Sequence, residues 1–388
     1  MAETKKDKGA IRIYSIPKNA AIIWSLLFFI VSSLCYVLTK QNTSFVPLIS
    51  EFTTINYNLA SNLDIFSQIA VRINLLYSHK SENRMSFKKF DFPESPIQII
   101  EHPLLAQKQV ILKVKRDDLL HPHIAGNKWR KLKYNLIAMQ QQNKSAFITF
   151  SGPFSNHLYA ASMACKLFAL EGHAIVRGPH LDIHNPTIRM ARACGVQLHT
   201  VDRATYRLRH NDDYLMELQQ RFAHCHIIPE GGSNQQALVG VQELANSLPK
   251  SDYVMCATGS GGTLAGLINA SSGTTSVIGI AVLKQAEYLI DEIIRLAPKA
   301  KQKSNWQLMC DFHDGGYGKF STALWQFCKM MKKDCKLPLE PIYTGKLFYA
   351  LWQLLEQDFF APGSHITAIH TGGLQGLDGL RYRQLITN

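Results

Sequence analysis

The chain has 388 residues, 46% apolar and 18% charged, the balance of an ordinary globular protein rather than a disordered one. Its net charge is +13, but no long Lys/Arg run is interleaved with aromatics, which argues against nucleic acid and leaves small anionic ligands as fitting partners. The eight cysteines show no paired spacing and read as reduced thiols of a cytoplasmic protein, and no metal is expected, because His224-Cys225-His226 has no second ligand pair in the sequence.

Residues 20–39 form a run of 20 residues without a charge, about 30 Å long as a helix and enough to cross a bilayer. Lys5, Lys6, Lys8, Arg12 and Lys18 precede it, which favours a cytoplasmic N-terminus. A single pass would put the remainder outside the cytoplasm, in conflict with the unpaired cysteines. The run is also too long and too internal for a signal peptide. At Met85 the character changes to that of an ordinary soluble sequence. Two expectations follow: residues 1–84 stem from a start called too far upstream, or residues 20–39 are a membrane anchor.

Beyond Met85 the pattern is regular. A strand is predicted over 109–116, followed by a loop through Asp117 and Asp118 to Gly126. The spacing of Trp129, Leu132, Leu136 and Ile137 predicts a helix over 127–142. Strands at 146–150, 173–176, 197–201 and 225–228 then alternate with helices at 156–170, 186–194 and 213–221. A helix at 235–248, a strand at 252–257, a helix at 264–270 and strands at 276–281 and 364–370 complete the pattern. Such alternation implies an α/β fold with parallel sheets flanked by helices. The block 134–236 is expected to be a small α/β domain inserted into a large one made of 85–133 and 237–388. A ligand site is expected between them, at the C-terminal ends of strands.

Two motifs carry the chemistry. Lys128 follows the Gly126-Asn127 turn at the start of a predicted helix, where a lysine facing a cleft loses its proton more readily and can form a Schiff base. Thr258-Gly259-Ser260-Gly261-Gly262-Thr263 joins a strand to a helix and presents backbone N–H groups to an anion. No Gly-Lys-Ser/Thr follows, so it is not a Walker loop. An amine together with a phosphate cup suggests pyridoxal 5'-phosphate. Ser155, Asn156 and His157 open the helix after the 146–150 strand, where they either cap it or present a hydroxyl and an amide to a ligand. Tyr317 lies in a glycine-rich turn, Tyr343 and Thr344 stand at a helix start, and Thr371 follows the last strand.

Together these segments, in order over residues 95–385, resemble the family of 1-aminocyclopropane-1-carboxylate deaminases and D-cysteine desulfhydrases, pyridoxal phosphate enzymes of the tryptophan-synthase β-like fold, fold type II. The resemblance implies that Lys128 holds the cofactor and acts as base, that Asn156 bonds its ring hydroxyl, and that residues 258–263 cup its phosphate. It further implies that Ser155, Asn156, His157, Tyr317, Tyr343 and Thr371 meet a small amino-acid substrate, with Ser155 and Tyr343 taking part in catalysis, and that the protein is a homodimer. Thr344 occupies the position of a glutamate that follows the tyrosine in the deaminase branch, and Thr371 replaces a leucine of that branch. A threonine supports a protonated pyridine less well than a carboxylate does. The expected reaction is therefore β-elimination from D-cysteine, giving pyruvate, sulfide and ammonia, rather than ring opening of the cyclopropane to 2-oxobutanoate. A related eliminase or racemase, and a membrane-tethered binding protein without catalysis, are the other readings. Trp129, directly after the lysine, is expected to reshape the pocket.

Overall fold

In the computed structural model the described residues are 90–124 and 126–387, all within one compact unit, Met85–Asn388. The apolar run at 20–39 and the question it raises lie outside them. Among the described residues no helix is long and apolar enough to cross a membrane.

The chain opens with β1 (Ile97–Ile100) and β2 (Ile111–Lys115), then α1 (Gly126–Gln141). A repeating unit follows: β3 (Ala146–Ser151), α2 (Asn156–Phe168), β4 (Glu171–Arg177), α3 (Pro186–Ala193), β5 (Gln197–Val201), α4 (Asp212–Arg221) and β6 (Cys225–Ile228). The remainder comprises α5 (Gln235–Asn246), β7 (Tyr253–Thr258), α6 (Gly262–Ala270), β8 (Ser276–Ala281), α7 (Leu289–Leu296) and β9 (Trp306–Met309). It ends with α8 (Thr322–Asp334), α9 (Thr344–Glu356), β10 (His365–Ile369) and α10 (Gly376–Tyr382).

The strands form two sheets. One has six strands in the order β1-β2-β10-β7-β8-β9, parallel except for β1, which runs antiparallel to β2. The other has four parallel strands in the order β5-β4-β3-β6. Helices cover both faces of each sheet, so the central strands are apolar throughout rather than alternating. β3 is buried at every position. In the larger sheet one core packs strand side chains against Leu324, Phe348 and Leu351 of α8 and α9, and the other packs them against α5, α6 and α7. Trp129 lies in the core of the smaller sheet, its ring 4.8 Å from Phe92 and 5.5 Å from Phe168. It therefore points away from the lysine cleft, and the expectation that it reshapes the pocket is corrected: one step along a helix turns a side chain by about 100°.

The chain turns at the C-terminal ends of β2, β3, β6, β7 and β10 lead into helices or loops that converge on one cleft. This is where parallel sheets place their ligands.

Candidate active site

Lys128 is the third residue of α1, and the turn at its start is stapled to the segment after β10. Gly126 has φ +70°, and a Cβ there would lie 1.9 Å from the Thr371 carbonyl oxygen. Asn127 donates its backbone N–H to that same oxygen at 3.2 Å. Its side-chain amide reaches Thr263 Oγ1 at 2.9 Å, which ties the lysine turn to the start of α6. Gly126→Ala is expected to cost on the order of 2 kcal/mol or more, from left-handed backbone plus the clash. A denaturant midpoint within error of the wild type would contradict this.

Lys128 Nζ lies 3.3 Å from Asn127 Oδ1 and 5.7 Å from the centre of the Tyr343 ring. Burial pushes its pKa down to about 8, against the opposing pull of Glu340. Tyr343 stands across the cleft with its hydroxyl 3.2 Å from that of Tyr317, the two rings meeting edge to face at 73°. Burial and the neighbouring Tyr317 raise the Tyr343 phenol well above its ordinary pKa, so it stays protonated. Lys128, Asn156, Tyr343 and Thr371 line one cavity together with Asp118, Tyr159, Gly373 and Gln375. Gln375 donates to Asn156 Oδ1 at 3.1 Å. Close approach at Gly373 lets this happen, because a Cβ there would lie 2.9 Å from Asn156 Nδ2.

The glycine loop lies beside this cavity. Gly259 packs under Tyr343, where a Cβ would come within 3.0 Å of the ring, and Gly261 takes φ +75° to open α6. Two residues that the sequence reading passed over complete this corner. Lys131, one turn after Lys128, is only 1% exposed and donates to Ser233 Oγ at 3.0 Å. Ser233 Oγ in turn meets Ser260 Oγ at 2.9 Å. Burial, and then Lys128, push the Lys131 pKa well below the usual lysine value. A buried amine whose bond is to a hydroxyl, next to a helix N-terminus and a glycine turn, is a site for an anion. The signal was available in the i, i+3 spacing from Lys128, which puts both amines on one helix face.

The second overlooked residue is Glu340, 1% exposed. Its carboxylate accepts from the backbone N–H of Ile342, Tyr343 and Thr344 at 2.8–2.9 Å and lies 3.2 Å from Thr344 Oγ1. Burial raises its pKa to about 7, against the lowering effect of those hydrogen bonds. Thr344 is fully buried and spends its hydroxyl on Glu340. Thr344 thus presents its hydroxyl beside a buried carboxylate. The chain carries a carboxylate four residues earlier, in contact with that threonine.

Three expected substrate residues do not line the cavity: Ser155, His157 and Tyr317, the last of which meets it only through its bond to Tyr343. Ser155 is the N-cap of α2 and accepts from the backbone N–H of His157 and Leu158. His157 is 1% exposed, its Nε2 bonded to Thr149 Oγ1 at 2.8 Å. Burial, then Lys131 and Lys128, hold its pKa near 3, so its ring is neutral. Thr258 is buried at the end of β7, with its carbonyl accepting from Val282.

The residues present fit pyridoxal phosphate. Its aldehyde needs an accessible lysine of lowered pKa, and its phosphate needs a cup of N–H groups with a cation nearby. Lys128 meets the first need; the 258–263 loop with Lys131, Ser233 and Ser260 meets the second.

Comparison with known proteins agrees. Residues 92–372 match the family described as pyridoxal-phosphate dependent enzyme. A putative 1-aminocyclopropane-1-carboxylate deaminase of Pyrococcus abyssi is 30% identical over 301 residues, covering 73% of this chain and 90% of that protein. The bifunctional D-cysteine desulfhydrase/1-aminocyclopropane-1-carboxylate deaminase of Arabidopsis thaliana is 27% identical, covering 69% of this chain and 73% of that protein. Among solved structures, an ACC deaminase homologue superposes with a TM-score of 0.65 at 27% identity, covering 76% of this chain and 93% of the other. The architecture is that of fold type II. Because the matched span runs from ahead of the lysine turn through Thr371, the chain belongs to the pyridoxal-phosphate dependent enzymes.

Proposed function

We propose that this enzyme eliminates the β-substituent of a small amino acid, with D-cysteine and water giving pyruvate, sulfide and ammonia. The observation that carries the reading is the desolvated Lys128 amine, facing a protonated Tyr343 across a cavity lined by Asn156 and Thr371. When bound, the cofactor supplies an electron sink for charge developing at the substrate Cα. Lys128 would hold the cofactor and, as a free amine, take the Cα proton as general base, and its lowered pKa keeps a useful fraction neutral near pH 7–8. Tyr343 is the protonated group available to the departing sulfur. Asn156 and the backbone around Thr371 and Gly373 offer donors to the substrate carboxylate or the cofactor ring. The names of the Pyrococcus and Arabidopsis relatives support this class of chemistry.

The test is sulfide and pyruvate release from D-cysteine by protein loaded with pyridoxal phosphate, with L-cysteine and 1-aminocyclopropane-1-carboxylate alongside. Sulfide from D-cysteine in clear excess over the other two is the expected result. Equal or greater 2-oxobutanoate release from the cyclopropane would replace the reading with ring opening. Glu340 is the specific observation that favours this second reading, since a buried carboxylate behind Thr344 restores the acidity that the threonine lacks.

Capture of the cofactor by apoenzyme should depend on pH in a defined sense. The attacking amine must be neutral, and the pKa is lowered, so the rate rises about tenfold per pH unit below 8 and levels off above it. A rate still climbing tenfold per unit between pH 9 and 10 would return Lys128 to an ordinary lysine. All seven cysteines among the described residues are free, which supports a reducing compartment such as the cytoplasm. The family resemblance supports a homodimer; a monomer mass by light scattering would remove that assignment.

A further inference from the structure

We propose a second site, for a transition-metal ion such as zinc, at the opposite end of the four-stranded sheet, built from His173, His224, Cys225 and Glu171. His173, His224 and Cys225 present ligand atoms within 4.8 Å of one another. Glu171 Oε1 lies 3.1 Å from His173 Nε2 and 3.5 Å from His224 Nε2, so one oxygen already bridges both rings. The sequence offers His224 and Cys225 as neighbours; the sheet supplies the missing pair.

The register explains how. Glu171 on β4 and Cys225 on β6 both pair with Ala146 of β3, one from each side. Ala146 has a single methyl, which leaves the space above it to their longer side chains. His173, two residues after Glu171, points to the same face because strand side chains alternate. Phe222 flanks the cluster with its ring 5.2 Å from His173. His226, the third member of the sequence triplet, goes elsewhere: its Nδ1 bonds to Gln142 Oε1.

The donor set suits zinc, which takes imidazole nitrogen, thiolate sulfur and carboxylate oxygen in four-coordinate tetrahedral sites. The present spacing needs only a small contraction, since zinc bonds of about 2.0–2.3 Å hold ligand atoms some 3–4 Å apart. An orienting partner is in place too. His173 Nδ1 lies 3.1 Å from His199 Nε2, so Nδ1–H can donate to His199 and leave Nε2 free for the metal. Cys225 and His173 are buried, while His224 and Glu171 are open to solvent and provide the entry. On binding, each ligand atom donates a lone pair, the Cys225 thiol releases its proton to solvent, and no oxidation occurs. The ion would clamp the turn between α4 and β6 onto β4. The active-site turn leaves the far end of β3, roughly 17 Å away along the strand at 3.3 Å per residue.

The test uses protein carrying pyridoxal phosphate, its visible band serving as the fold control. Zinc is titrated against a chromophoric chelator, and cobalt is then substituted as a spectroscopic probe. Expected are one equivalent of zinc per chain, and a visible cobalt spectrum of a four-coordinate site with a sulfur charge-transfer band. His224→Ala changes an exposed residue and should weaken zinc by about 100-fold or more, at least the cost of losing an outer partner. Cys225→Ser should remove the sulfur band. Zinc binding by the wild type no tighter than by His224→Ala, or a cobalt spectrum unchanged in Cys225→Ser, would overturn the site.

Discussion

Lys128→Ala is expected to abolish both the visible band of the lysine-bound cofactor and the turnover of amino acids, the latter by on the order of 10⁴-fold or more. Two roles fall together in this variant. The amine would bond covalently to the cofactor aldehyde, and its lowered pKa of about 8 would let it serve as the base for Cα. The fold should survive, because Lys128 is only half-buried and the hydrogen bond of its amine to Asn127 is long at 3.3 Å. Circular dichroism matching the wild type, with no visible band, is the outcome that assigns the residue. A variant that keeps the band and the turnover would move the cofactor to another lysine.

Lys131→Met carries the second large effect, and its two consequences have opposite signs. In holoenzyme a buried Lys131 ammonium would lie near the bound phosphate, so its loss should weaken pyridoxal phosphate by roughly 10–100-fold, the scale of a lost hydrogen bond to a charged group. In apoenzyme the same ammonium is a liability. Burial lowers its pKa, which means that folding the protonated form is disfavoured near neutral pH. The sign follows: with the folded pKa depressed, the penalty sets in as pH falls below the unfolded value, grows as pH falls further and levels off below the folded one. Methionine fills similar volume without charge, so apo Lys131→Met should melt higher than apo wild type while binding the cofactor more weakly. Cofactor titration followed by the visible band gives the first quantity and thermal melting of apoprotein the second. A lower apo melting temperature with unchanged cofactor affinity would make Lys131 a purely structural lysine.

Much of this molecule was legible before its coordinates. Strand and helix positions from residue 109 to 281 follow from apolar runs bounded by turn residues, and the observed β3, β5, β6 and β8 match their predicted ranges to within a residue at each end. The last third was read less completely. β9 is short and only partly buried, and β1 is half exposed at the sheet edge, so neither carries the continuous apolar run of a central strand. α9 begins at the helix start expected at Thr344, and α8 carries its helix period in Leu324, Phe327, Cys328 and Met331.

The site divides in the same way. Sequence by itself determined the lysine turn, the glycine loop and the tyrosine helix start, because each depends on a local need: a left-handed glycine, backbone N–H groups in a row, a residue at a helix entrance. Tertiary structure alone decided which side chains share a volume. Ser155 and His157 are adjacent to Asn156 in the chain, yet one caps a helix and the other is buried against Thr149, while Asn156 reaches the cavity. Glu340 and Thr344 form a buried pair because the turn that leads into α9 folds the carboxylate back onto the helix start, and Glu171 meets His224 because β3 holds β4 and β6 in register. Burial, charge coupling and ligand geometry depend on distances between segments far apart in sequence, and those distances are fixed only when the sheets and helices pack.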